Sequence, residues 1–173
     1  MAMDADILMF LQDMVRNPVL TPVFTIITVL GNGGVLWVLV SLALLIPKKT
    51  RMTGVTGILA LLLSLLINNI ILKNLVARTR PYEVVEGLIP LISRPGDFSF
   101  PSGHTASSFA AAWVLFRRFP RQFGIPALVT AGLIGLSRLY LGVHYPTDVL
   151  FGVISGIGSG CIALMLMKGA IDK

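Results

Sequence analysis

The chain has two histidines in 173 residues, and each sits among neighbours that could put it to chemical use. In SRLYLGVHYPTD, residues 137–148, His144 precedes Asp148 by four positions. A helix starting at or near His144 lets the carboxylate reach the imidazole, and Pro146 is tolerated in a first turn. An acceptor on one ring nitrogen fixes the tautomer and frees the other as base or nucleophile. His104 stands in FSFPSGHTAS, residues 98–107, where Pro101-Ser102 before an apolar run signals a helix start with Ser102 able to cap it. The first free N–H groups point outward there, and Gly103 lets a ligand approach the backbone, which makes a ready anion site. In KNLVARTRP, residues 73–81, Lys73 and Arg80 are seven apart, about two helical turns, and project from one side if the helix continues. Arg138 falls inside an apolar stretch, where an arginine costs roughly 2.5 to 3.5 kcal/mol on insertion scales and usually marks a site. Snorkelling to the headgroups suits Arg78 and Arg94 better. Three cations, backbone donors and two imidazoles, one held by a carboxylate, make a phosphoryl-transfer site without metal or cofactor. The cations neutralise the phosphate and the charge that redistributes in its transition state.

These residues must be positioned by a membrane protein. The sequence is 55% hydrophobic and 13% charged with a mean hydropathy of +0.85, too apolar for a soluble domain. Lipid admits only segments that satisfy their own backbone hydrogen bonds, and a helical span needs ~20 apolar residues. Five such segments are predicted. Residues 17–47 carry no charge and form one long helix loosened at Gly31-Asn32-Gly33-Gly34; residues 53–72 end at Lys73; a third runs from the His104 stretch to Phe116. Residues 123–143 are interrupted only by Arg138, and residues 149–167 are unbroken. Before them, residues 1–16 alternate Met3, Ile7, Leu11 and Met14 with Asp4, Asp6, Gln12, Asp13 and Arg16 at helical spacing. That predicts an interfacial amphipathic helix, with packing on the rim of the bundle as the alternative. The early acidic residues and the lack of a basic n-region argue against a removable signal peptide. The fold class is therefore all-α: an integral membrane bundle of about five transmembrane helices plus the interfacial helix, a single domain over residues 1–173.

Basic residues are retained in cytoplasmic loops. One side gathers Lys48, Lys49, Arg51, Arg117, Arg118, Arg121, Lys168 and Lys173, and the other holds the histidine stretches and seven of the eight acidic residues. The C-terminus is expected in the cytoplasm and the site on the extracytoplasmic side.

Lys-x6-Arg-Pro, Pro-Ser-Gly-His and Ser-Arg-x5-His-x3-Asp, in this order, resemble the three signature motifs of the type 2 phosphatidic acid phosphatase (PAP2) superfamily, matched at every motif position over residues 73–81, 101–104 and 137–148. The resemblance implies that His144 attacks phosphorus, Asp148 orients it, and His104 protonates the leaving oxygen. It implies that Lys73, Arg80 and Arg138, helped by Ser102 and the Gly103 backbone, hold the phosphoryl oxygens. Ser137 belongs to the motif in a packing or supporting role. Many membrane members have six spans, so five leaves the N-terminal half less well matched.

An outward-facing phosphate site among small loops suits a lipid phosphate in a plasma membrane. The short chain looks like bacterial members that convert undecaprenyl diphosphate to undecaprenyl phosphate. Phosphatidate and phosphatidylglycerol phosphate are the competing substrates, a lipid phosphotransferase is the competing reaction, and a transporter is a remote third class. Gly152, Gly156 and Gly160 repeat every four residues inside an apolar span, which reads as close helix packing and not as a dinucleotide loop. Asn68 and Asn69 either line the pocket or bond another helix. The lone Cys161 excludes an intrachain disulfide and reads as packing. A net charge of +6 is accounted for by loops and phosphate site, so no nucleic-acid partner is indicated.

Overall fold

The computed structural model describes residues 2–171; Lys173 of the basic set and Met1 of the N-terminal helix lie outside them. The described residues form helices joined by turns and loops, without a strand. In order these are α1 (Ala2–Phe10), prolonged by a π-helical turn Leu11–Val15; α2 (Leu20–Leu30); α3 (Val35–Leu45); α4 (Arg51–Ser64), prolonged by a π-helix Leu65–Leu72 into α5 (Lys73–Val76); α6 (Pro81–Val84); α7 (Gly103–Arg118); α8 (Arg121–Tyr140); and α9 (Pro146–Ile171).

The long helix expected over residues 17–47 is broken where its glycines stand. Gly33 and Gly34 take φ of 57° and 67°, left-handed values that other residues adopt only with strain, and α2 and α3 meet at 45°. Three segments are long and apolar enough to cross a bilayer, Arg51–Val84, Arg121–Tyr140 and Pro146–Gly169, or four if the bent α2–α3 pair counts as one. The remaining expected segment, the third in order, is α7, whose 16 residues span roughly 24 Å against a hydrocarbon core of ~30 Å. It is short because it is enclosed. Ala106, Ala110, Ala112 and Val114 are buried, and α7 packs on α4, α8 and α9.

The glycine stripe of α9 makes that approach possible. A Cβ built on Gly152 or Gly160 would lie 2.9 Å from the carbonyl oxygen of Ser102 or Ala110, so α9 packs directly on the α7 backbone. Cys161 sits in the same contact, where Trp113 Nε1 approaches its Sγ at 3.1 Å. On the opposite flank Trp37 of α3 packs with Ala111, Ala112, Ala131 and Ile134 and donates to Ser108 Oγ at 2.9 Å. Helix order then places the starts of α7 and α9 at one end of the bundle with the ends of α5 and α8. Every motif residue lies at that end.

The N-terminal helix is packed on the bundle, the alternative to a purely interfacial position. Met3, Phe10 and Met14 are exposed, while Leu8 is buried with Leu88 and Tyr145. Part of the polar side faces the protein, while Asp6 and Asp13 are exposed: Gln12 accepts from Ile89 N at 2.8 Å, and Arg16 donates to Tyr140 O at 2.9 Å. A loop amide and a helix-end carbonyl left without backbone partners are met by this helix.

Candidate active site

Lys73 and Arg80 converge, although not through a continuous helix. The helix stops at Val76, Ala77 turns left-handed at φ 47°, and Arg80 is extended at ψ 152° because Pro81 follows it. The meeting point is Asp97, whose carboxylate binds the Lys73 ammonium and accepts from Arg80 Nη2 at 2.5 Å. Arg80 Nε also donates to the Asp97 carbonyl at 2.8 Å, and Nη1 to that of Val143 at 2.7 Å. Burial alone would raise the Asp97 carboxyl, but Lys73 and Arg80 outweigh it and hold it down to about 2. The sequence gives Asp97 no mark beyond its outer-side position, yet its carboxylate occupies the ground a phosphate would need. Asp97→Asn is therefore expected to tighten inhibition by inorganic phosphate, lowering its Ki roughly 2- to 5-fold, the range of one partly exposed ion pair. An unchanged or raised Ki in an inhibition titration would show that the carboxylate does not compete with phosphate.

His144 is buried in the loop between α8 and α9. Its Nε2 lies 3.3 Å from Arg80 Nη1, and its Nδ1 lies 3.4 Å from Asp148 Oδ2, close but beyond a well-formed hydrogen bond, so Nδ1 is left without a partner. Burial pushes the imidazole down to about 4; the Asp148 contact opposes this, while Arg80 and Arg138 add to it. A neutral ring is therefore present at pH 7, with Nε2 held against Arg80 and Nδ1 turned toward Asp148. Asp148 is fully enclosed and accepts from Ser99 Oγ at 2.5 Å, Tyr145 N at 3.0 Å and Arg78 Nη1 at 2.6 Å. Arg78 is thus no snorkelling residue. Arg94 instead lies over the Tyr82 ring at 5.5 Å.

Ser102 caps α7, its hydroxyl accepting from Thr105 Oγ1 at 2.9 Å; it is buried in that role and turned from the open space. Gly103 does face that space, and a Cβ there would meet Asn69 Oδ1 at 2.9 Å. His104 Nε2 is 2.9 Å from Asn32 Oδ1, which the glycine break between α2 and α3 presents. Arg138 is buried near the end of α8; Nη1 donates to Thr28 Oγ1 at 2.6 Å and Nε has no partner. Ser137 supports the helix, bonding the Ile134 carbonyl at 2.6 Å. The two asparagines divide the alternatives: Asn68 accepts from Ser155 of α9 at 2.5 Å, whereas Asn69 lines the cavity.

Lys73, Arg80, Gly103, His104, Arg138 and His144 line one cavity of about 860 Å³, with Asp148 behind His144. Beyond this polar mouth the walls are apolar, including Val29 of α2, Val38 and Leu42 of α3, and Ile58, Leu62 and Leu65 along the α4 helix. From Lys73 to Ile58 the cavity follows α4 for roughly 20 Å. Thr28, Asn32, Asp97 and Ser99 escaped sequence reasoning; only Asn32 carried a signal, as the polar residue in a Gly-Asn-Gly-Gly break.

The profile described as PAP2 superfamily matches residues 54–172. An undecaprenyl-diphosphatase of Sulfolobus acidocaldarius is 33% identical over 120 residues, covering 69% of this chain and 58% of that protein, so the chain spans little more than half of it. The crystal structure of Aquifex aeolicus LpxE superposes with a TM-score of 0.80 at 34% identity, covering 90% of this chain and 92% of that one. A transmembrane PAP2-type phosphatidylglycerolphosphate phosphatase from Bacillus subtilis gives 0.79 at 29% identity, covering 97% and 86%.

Proposed function

The chain belongs to the PAP2 superfamily of lipid phosphatases, and on that premise we propose that it removes the terminal phosphate of a membrane lipid through a phosphohistidine on His144. The carrying observation is the cavity itself: cations and imidazoles at its mouth, and apolar walls for roughly 20 Å beyond. A water-soluble phosphate has no use for those walls, whereas a lipid can place its phosphate at the mouth and part of its tail between α3 and α4.

Lys73, Arg80 and Arg138 hold the phosphoryl oxygens, and Gly103 at the start of α7 adds backbone donors. His144 Nε2 attacks phosphorus, forming N–P as the bond to the lipid oxygen breaks. His104 gives that oxygen a proton, exchanging its Asn32 contact for the leaving group. Asp148 stabilises the positive charge on the His144 ring. Water, deprotonated by His104, then attacks phosphorus, releasing phosphate and free His144. Three guanidinium and ammonium groups supply the charge stabilisation, so the reaction proceeds without metal.

Undecaprenyl diphosphate is the proposed substrate, supported by the likeness to the Sulfolobus acidocaldarius undecaprenyl-diphosphatase; phosphatidylglycerol phosphate is the second reading, supported by the Bacillus subtilis structure. The positive-inside pattern supports a plasma-membrane protein with its site outward and the end of α9 in the cytoplasm. The test is phosphate release by detergent-purified protein, with chelator present, from undecaprenyl diphosphate, phosphatidylglycerol phosphate and phosphatidate side by side. Preferential release from the first supports the reading, and preference for another lipid reassigns the substrate. Transfer of phosphate to an alcohol would favour a phosphotransferase, and chelator-sensitive release would overturn the metal-free step.

A further inference from the structure

Asp4 is a carboxylate near the start of the chain, yet it is buried 143 residues away in sequence from the site, against the first turn of α9. Its Oδ1 accepts from Thr147 N at 3.3 Å and its Oδ2 from Thr147 Oγ1 at 2.6 Å, so it caps α9 from outside that helix. A negative charge is favourable at a helix N-terminus, and this terminus carries Asp148 in its first turn. Oδ2 also meets Arg78 Nη2 at 2.9 Å, and Arg78 Nη1 bonds both Thr147 Oγ1 at 2.7 Å and Asp148 Oδ1 at 2.6 Å. The guanidinium lies over the Tyr145 ring at 3.8 Å, which fixes its plane. An unbroken chain of contacts thus runs from α1 through Arg78 to the carboxylate facing His144.

We propose that Asp4 and Arg78 are positioning residues for His144: Arg78 fixes one oxygen of Asp148, and Asp4 offsets the charge that Arg78 brings. This rests on the phosphohistidine reading. Without Asp4, the Arg78 charge would fall wholly on Asp148, and less of that carboxylate's field would reach the imidazole. Without Arg78, Asp148 would face His144 undiluted but free to turn on its axis. The N-terminal helix is therefore part of the catalytic apparatus as well as a face presented to lipid.

The two charges give the idea a signature that a structural role does not share. His144 is faced by Asp148 from α9, Arg80 from the stretch after α5, Arg138 from α8 and His104 from α7, with Asp97 beyond Arg80; none of these changes in the variants below. Removing the Asp4 charge disfavours the protonated imidazole, and removing the Arg78 charge favours it.

The experiment measures kcat, KM and the acid limb of kcat/KM for wild type, Asp4→Asn, Asp4→Glu, Arg78→Gln and His144→Ala as full-length protein in detergent. Undecaprenyl diphosphate and phosphatidylglycerol phosphate are the probes. The expected result is a kcat loss of about 10-fold in Asp4→Asn and Arg78→Gln with KM held within about twofold, and partial recovery in Asp4→Glu. The acid limb is expected to move about half a pH unit down in Asp4→Asn and about half a unit up in Arg78→Gln, the order of effect of a single charge that acts from beyond direct contact through a polar medium. Limbs that stay at the wild-type position, or move together, would overturn the proposal. If Arg78→Gln does not fold, the direction of the Asp4→Asn limb decides alone. Activity surviving in His144→Ala would instead remove the reading beneath it, a result distinct from an inactive His144→Ala beside an unaltered Asp4→Asn.

Discussion

His144→Ala is expected to reduce phosphate release roughly 10⁴-fold or more, as loss of an enzyme nucleophile does. The ring is neutral at pH 7, its Nε2 faces Arg80, and the carboxylate behind Nδ1 is fixed from three directions. No neighbour is placed to substitute for it. His104, the second imidazole of the cavity, is engaged by Asn32, and the proposed reaction uses it for proton transfer. Rapid quenching with radiolabelled lipid supplies the direct check. Wild type should carry an acid-labile, base-stable phosphoramidate that the variant lacks. A variant retaining more than about a hundredth of the activity, or wild type without the label, would exclude a nucleophile at this position.

Arg138→Met should separate activity from stability. The guanidinium is buried in α8 with only Nη1 well bonded, to Thr28, and with Nε lacking a partner. An arginine kept for the fold would have its donors filled, because an unmet buried donor costs about 1–3 kcal/mol and an incompletely paired charge more. Methionine fills similar volume without that cost, so the melting temperature in detergent is expected to hold or rise. Activity should fall roughly 10²- to 10³-fold in kcat/KM, the usual consequence of losing one donor to a transition-state oxygen. A large fall in melting temperature with activity lost only in proportion to unfolding would reassign Arg138 to the fold.

Much of the site was legible because its chemistry depends on residue type at short spacing. His144 and Asp148 lie one turn apart, Ser102 opens a helix, and Arg138 is too costly in a span to be incidental. The helices were legible for a similar reason, since an uncharged run in a membrane protein has few conformations open to it. The Lys73–Arg80 geometry was less so. The two cations do meet, but by an interruption at Ala77 and an extended Arg80, where a continuous helix was expected.

Arg78 and Asp4 show where local reading fails. Arg78 suits snorkelling and Asp4 suits the polar face of an interfacial helix, and nothing within several residues of either says otherwise. Their partners lie 70 and 143 positions away, at the first turn of α9.

The sequence by itself determined an all-helical membrane class, the three motifs and the candidate groups for the proposed reaction, because hydropathy and side-chain chemistry are properties of residues and their near neighbours. Only the tertiary structure decided that Asp97 occupies the cation pair, that Asn32 and Thr28 hold His104 and Arg138, and that Asp4, Gln12 and Arg16 of the N-terminal helix turn to the loops and helix ends beside the site. These depend on which buried donors and acceptors are left unmet once the bundle closes, and that is settled by packing across the whole chain.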